Sequence, residues 1–239
     1  MKRKALGEEH PDFAITLYNI AGVYRRQERN EEALEAYGRA LEVERNTLGE
    51  EHLDFAITLS NIASLYNNQG RYEEALEAYG RALEVKRKAL GEEHPYFAST
   101  LYNIAGVYRR QERYEEALEA YGRALEVKRK ALGEEHPSFA VTLSNMASVY
   151  CRQGRHDEAL ETYGRVLDVK RNTLGEQHLD TSTTLTSIGM VYDKQGQHEE
   201  AATSYDSAGD VYEKAYGDSH EETLDARKKA AESRKRIEL

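Results

Sequence analysis

The sequence predicts an all-α fold, a right-handed α-solenoid of stacked antiparallel helical hairpins. Three observations carry this. A glycine and a histidine recur every 42 residues, at Gly7, Gly49, Gly91, Gly133, Gly175 and Gly217 and at His10, His52, His94, His136, His178 and His220. Each period holds two segments whose apolar residues fall at helical spacing. All three prolines, Pro11, Pro95 and Pro137, directly follow one of these histidines, where the first helix of a unit would begin. One such hairpin cannot bury its own apolar stripes, so consecutive units stack into a core that runs along the array.

The first helix of a unit, helix A, is marked by Phe13, Leu17, Ile20 and Tyr24. These stand at i, i+4, i+7 and i+11, one face of a 3.6-residue helix. Pro11 suits the first turn, where its missing N–H has no partner to lose. Helix B is marked by Ala33, Leu34, Tyr37, Ala40 and Leu41. Glu31 and Glu32 open it, and Lys86, Arg87 and Lys88 close its second copy, the order that the helix dipole favours. These acidic starts are read as solvated. Gly49 is expected in the left-handed position that ends a helix, and the histidine is expected to close the turn between units. Ala21, Ala33, Ala40 and their copies let the two helices approach, while Tyr24 and Tyr37 fill the remaining space.

Residues 1–217 are read as five such units. The first opens inside the tail of a helix B, because K-R-K-A-L-G at Lys2–Gly7 recurs at Lys86–Gly91 and Lys128–Gly133. On that reading the chain is a piece of a longer protein. Residues 218–239 are expected to form one polar capping helix, with Leu224, Lys228 and Ala231 toward its buried side. Residues 5–46 and 89–130 agree at 37 of 42 positions and differ at Asp12/Tyr96, Ile15/Ser99, Asn30/Tyr114, Glu44/Lys128 and Asn46/Lys130. This points to duplication of an 84-residue pair, and the irregular drift of units four and five speaks against a consensus-built sequence.

Composition narrows the function classes. A net charge of -10 argues against nonspecific nucleic-acid binding, which needs clustered cations. The single cysteine, Cys151, cannot pair within the chain, and the N-terminus lacks the apolar core of a signal peptide. With no run of about 18 apolar residues, no membrane partner is expected and a cytoplasmic location is the default. Phosphate-binding glycine loops, H-E-x-x-H and C-x-x-C are all missing, so neither an enzyme nor a cofactor is expected. The repeated histidines do not suggest a metal, because equivalent residues two helices apart lie ~20 Å from one another.

The run L-x-x-I-A-x-V-Y, an eight-residue gap and A-L-x-x-Y-x-x-A-L resembles the tetratricopeptide repeat. Leu17, Ile20, Ala21, Tyr24, Ala33, Tyr37 and Ala40 stand at its signature positions. With L-G-x-x-H-P between units, the 42-residue variant is similar to the repeats of kinesin light chain. The resemblance implies a superhelix whose concave groove, lined by helix A, binds a protein or peptide. Carried across, the groove residues are Tyr18, Asn19, Arg25 and Arg26; Asn61 and Asn68; Tyr102, Asn103, Arg109 and Arg110; and Asn145 and Arg152. In the family the recurring asparagine bonds a bound peptide backbone; on the residues alone, an asparagine that merely tolerates the helix surface, or pairs with the neighbouring repeat, stays open. The arginines, with Lys194, would make the groove basic and its ligand acidic. The expected function is a scaffold for an acidic segment of a partner protein. The alternative is a structural module that self-associates through its array ends into dimers or filaments.

Overall fold

Each helix A in the chain starts on the same device, a histidine whose ring caps it. In the computed structural model, which describes residues 10–237, the Nδ1 atoms of His10, His52, His94, His136 and His178 accept the N–H two residues on, at 3.1–3.2 Å. Orphan donors of the first turn are thereby satisfied. Eleven helices follow among the described residues: α1 (Pro11–Arg26), α2 (Asn30–Thr47), α3 (Leu53–Asn68), α4 (Tyr72–Leu90), α5 (Pro95–Arg110), α6 (Tyr114–Leu132), α7 (Pro137–Arg152), α8 (His156–Leu174), α9 (Leu179–Gln195), α10 (His198–Tyr216) and α11 (Glu221–Ile237). No strand occurs among them. The reading of Met1–Gly7 as a helix B tail lies outside the described residues.

Two compact units divide the chain, residues 1–127 and 128–239. In the first, α1 pairs with α2 and α3 with α4, and each hairpin packs on the next. In the second, α7 pairs with α8, α9 with α10, and α11 covers α10. The expected all-α class of stacked antiparallel hairpins is what each unit shows.

Inner A helices bury two faces. In α3, Phe55, Thr58, Ile62 and Leu65 form one face, and Ala56, Leu59 and Ala63 the other. α1 buries only the second, Ala14, Leu17 and Ala21, while Ile20 and Val23 are each 41% exposed. α11 buries only the first: Thr223, Ala226, Ala230 and Ser233. This corrects the expected register of the cap. Leu224 is 55% exposed, and Lys228 and Ala231 are exposed too. They occupy the face that an inner A helix turns toward a following helix, and α11 has none among the described residues.

Helix B buries Ala33, Ala36, Tyr37 and Ala40 in α2, with Leu34 and Leu41 only partly covered. The second tyrosine of each pair is the core residue: Tyr37, Tyr79 and Tyr121 are 1–2% exposed. The first is half-buried and roofed by an arginine, Arg29 over Tyr24 and Arg71 over Tyr66. That arginine also forks onto a glutamate three residues on, in the pairs Arg29–Glu32, Arg71–Glu74, Arg113–Glu116 and Arg155–Glu158. The neighbouring acidic residue reaches the next unit, where Gln69, Gln111 and Gln195 donate to Glu31, Glu73 and Asp157 at 2.6–2.9 Å. The acidic starts read as solvated are therefore paired.

The glycine ending helix B has positive φ, but at Gly91, Gly175 and Gly217 ψ is 160–167°. That is not the left-handed helical position expected; it is a region essentially reserved for glycine. Inside helices glycine follows packing. Gly189 stands where the other units carry Ala21, Ala63, Ala105 and Ala147, because an added Cβ would lie 2.8 Å from the Tyr205 ring. Gly189→Ala is expected to destabilise the chain by about 1–3 kcal/mol despite better helix propensity. Gly80→Ala, with open space around it, is expected to stabilise by about 0.5–1 kcal/mol. Urea denaturation of the two variants checks both signs.

Candidate functional site

The residues carried over as groove residues lie along the A helices, and their surroundings differ from unit to unit. In α1, Asn19, Arg25 and Arg26 are exposed, and Tyr18 is half-buried, edge-on to Tyr37 at 5.4 Å. Asn61 of α3 joins its neighbours. Its amide donates to the Tyr18 hydroxyl and the Ile57 carbonyl, both at 3.1 Å, and its oxygen accepts from Arg25 at 3.2 Å. Of the readings left open, pairing with the adjacent repeat is the contact that Asn61 makes. Asn68 is exposed at the end of α3. Arg110 of α5 donates to the Asn67 carbonyl at 2.8 Å.

Tyr102, Asn103 and Arg109 are half-buried on α5. Tyr102 stands edge-on to Tyr121 at 5.5 Å. The Arg109 Nε is buried without a hydrogen-bond partner, although its guanidinium reaches the Tyr121 hydroxyl. In the second unit, Asn145 donates to the Val141 carbonyl at 3.0 Å, and Arg152 is exposed. Arg152, Cys151 and Lys194 line a recess of about 350 Å³ with Ser148, Ser187 and Met190. Burial pushes the Cys151 thiol pKa up, the reverse of what a reactive cysteine needs.

The electrostatics separate two kinds of arginine. Those that open helix B are locked to glutamate, as described above. Arg25, Arg26, Arg109, Arg110, Arg152 and Lys194 make no ion pair with a described carboxylate. Apart from the buried Nε of Arg109, their donors face solvent or neutral oxygens. Cations of this kind are available to an anionic ligand, whereas a locked pair must be broken first.

Sequence reasoning missed one set of polar residues altogether. Near the end of the first four B helices a long ionisable side chain turns inward to a threonine 14 residues on. Lys86 donates to Thr100 at 2.8 Å, Lys128 to Thr142 at 2.7 Å and Lys170 to Thr184 at 3.0 Å. Glu44 takes this place in the first unit and accepts from Thr58 at 2.9 Å. Burial lowers the pKa of Lys86 and Lys128 to about 8 and raises that of Glu44 to about 7. The signal was present in the sequence, as an ionisable residue and a threonine at one fixed offset in four consecutive units.

Among the described residues no cluster of histidine, cysteine or carboxylate side chains could hold a metal ion, and no helix is long and apolar enough to cross a membrane.

Comparison with known proteins agrees with this architecture. The family model described as tetratricopeptide repeat matches residues 12–88, 54–130, 96–145 and 138–214. The chain is similar to the solved "putative kinesin light chain nearly identical TPR-like repeats" of Podosopora anserina, with 24% identity and a TM-score of 0.77 over 87% of this chain and 98% of that one. It is likewise similar to BtubC (BKLC) from P. vanneervenii, with 24% identity and a TM-score of 0.77 over 87% of this chain and 82% of that one. MamA matches with 20% identity and a TM-score of 0.59 over 82% of this chain and 96% of that one. At these identities the likeness shows the fold alone. No curated protein matches the chain.

Proposed function

The chain belongs to the tetratricopeptide repeat family, and from that premise we propose that it is a scaffold holding an acidic segment of a partner protein along its A helices. The observation that supports this is the set of cations without a carboxylate: Arg25, Arg26, Arg109 and Arg110 in the first unit, Arg152 and Lys194 in the second. In a chain of net charge -10, such cations steer and orient a ligand of opposite sign. Asn19 and Asn103 offer a donor and an acceptor to a peptide backbone, and Tyr18 and Tyr102 offer flat, rigid contact area. Asn61 supports the site indirectly, by holding Arg25 and Tyr18 in place. The action is binding, in a cytoplasmic setting, with no cofactor.

Selection from a random peptide library on the purified chain tests the charge assignment. Sequences rich in aspartate and glutamate are expected to enrich, and their retention is expected to fall steeply with added salt. Enrichment of neutral or basic sequences would contradict it.

A second reading, self-association, draws on the face of α1 that carries Ile20 and Val23, each 41% exposed. It requires a mass that rises with concentration in light scattering and falls back on Ile20→Glu.

A further inference from the structure

At three junctions between units the chain supplies its own ammonium. Lys86 bridges Ser60 and Thr100 at 2.9 and 2.8 Å, and Lys128 and Lys170 reach Thr142 and Thr184 in the same way. At the first junction the residue is Glu44, whose side chain cannot donate when ionised. One oxygen accepts from Thr58, and the other, Oε2, is buried with no partner. Glu44 is 4% exposed and lies at the edge of a recess of about 280 Å³. The walls are apolar, from Pro11, Ile15, Leu48 and Ile57, and the one other charged lining residue among the described residues is a second carboxylate, Asp54. Two carboxylates, an unused acceptor and a hydrocarbon-lined approach are left where the next three junctions hold a lysine.

We propose that this recess binds a primary ammonium on an unbranched alkyl stem, the side chain of a lysine presented by a ligand. The apolar walls take the methylenes, as they do for any lysine that buries its stem, and Glu44 Oε2 and Asp54 take the ammonium. A buried acceptor without a partner is costly, so filling it contributes more than the same contact would in water. The carboxyl of Glu44 is held near half-protonation at neutral pH by burial, with the Asp54 charge adding to the effect. An entering cation opposes both influences and favours the ionised form of Glu44. This site goes beyond the acidic-segment reading and does not depend on it, since a single capped amino acid suffices to occupy it.

The test is a titration of the whole chain with Nα-acetyl-lysine N-methylamide, read by the carboxyl carbon resonance of Glu44, which is assigned by its loss in Glu44→Gln. A saturable shift is expected, together with a downward move of the Glu44 titration midpoint from about 7. Nα-acetyl-norleucine N-methylamide, with the stem but no charge, is expected to give neither. Glu44→Gln, whose binding is read by isothermal titration calorimetry beside the parent because the reporter carboxyl is gone, is expected to weaken lysine binding by roughly tenfold or more, as for loss of a charge-assisted partner. Glu44→Lys, which installs the residue that the next three junctions carry, is expected to abolish binding in the same calorimetric titration while helicity by circular dichroism is kept. Equal response to norleucine, no saturable shift, or undiminished binding by the folded Glu44→Lys variant would each overturn the proposal.

Discussion

Tyr79→Ala is expected to remove about 3–5 kcal/mol of stability, the loss typical of truncating a fully buried aromatic ring. Tyr79 is 2% exposed and sits among Ala75, Ala78 and Ala82 of α4. Alanines on both helices bring the backbones close, so the cavity cannot be refilled by a neighbouring side chain. The phenol also hydrogen-bonds Ser64 across the hairpin, and burial pushes its pKa up to about 12. Tyr79→Phe separates the two contributions and is expected to cost only about 1 kcal/mol, the net worth of one hydrogen bond. Tyr66→Ala, at a half-buried ring roofed by Arg71, is expected to fall between them. Guanidinium denaturation measures all three. A loss below about 1 kcal/mol for Tyr79→Ala would mean that this tyrosine is not the pillar of the hairpin.

The second large effect is on pH dependence. Folding raises the Glu44 pKa from an ordinary 4.5 to about 7, chiefly by burial. The folded chain therefore binds this proton more tightly than the unfolded chain. Stability from the neutral carboxyl is complete below about 4.5 and is lost as pH rises through about 7. The shift corresponds to roughly 3 kcal/mol between those limits. Glu44→Gln stays neutral throughout, so its stability curve between those limits is expected to be flatter than the parent's by that order. Parallel curves for the two chains would show that Glu44 is solvated in solution.

Glu44 also shows where local sequence reading stopped. The hairpins were legible because six copies of one glycine and one histidine, and five copies of the apolar stripes, all voted for the same period. Periodicity within a single helix, however, reports only that a face is apolar, not which neighbour will cover it. That is why Leu224, Lys228 and Ala231 were assigned to the buried side of α11, when Thr223, Ala226, Ala230 and Ser233 are buried. Both faces of an inner A helix are apolar, and only the existence of a following helix decides between them. Contacts across units were equally silent. Asn61 meets Tyr18 at a separation of 43 residues, and Gln69 meets Glu31 at 38. Neither offset belongs to any helical period. That the candidate residues lie on the A helices was legible, whereas the pairing of Asn61 with Tyr18 and Arg25 was only one of the readings open.

The family and the fold fix where a ligand would lie only if the A helices carry it, and one comparison tests that most directly. An acidic peptide enriched on the parent chain is titrated calorimetrically into the parent and into an Asn61→Ala/Asn103→Ala/Arg109→Glu variant of matched helicity. Affinity weaker by roughly tenfold or more is expected for the variant, from the lost charge complementarity and the released Arg25 and Tyr18. Equal affinity for two equally helical proteins would contradict it and place the binding surface elsewhere on the chain.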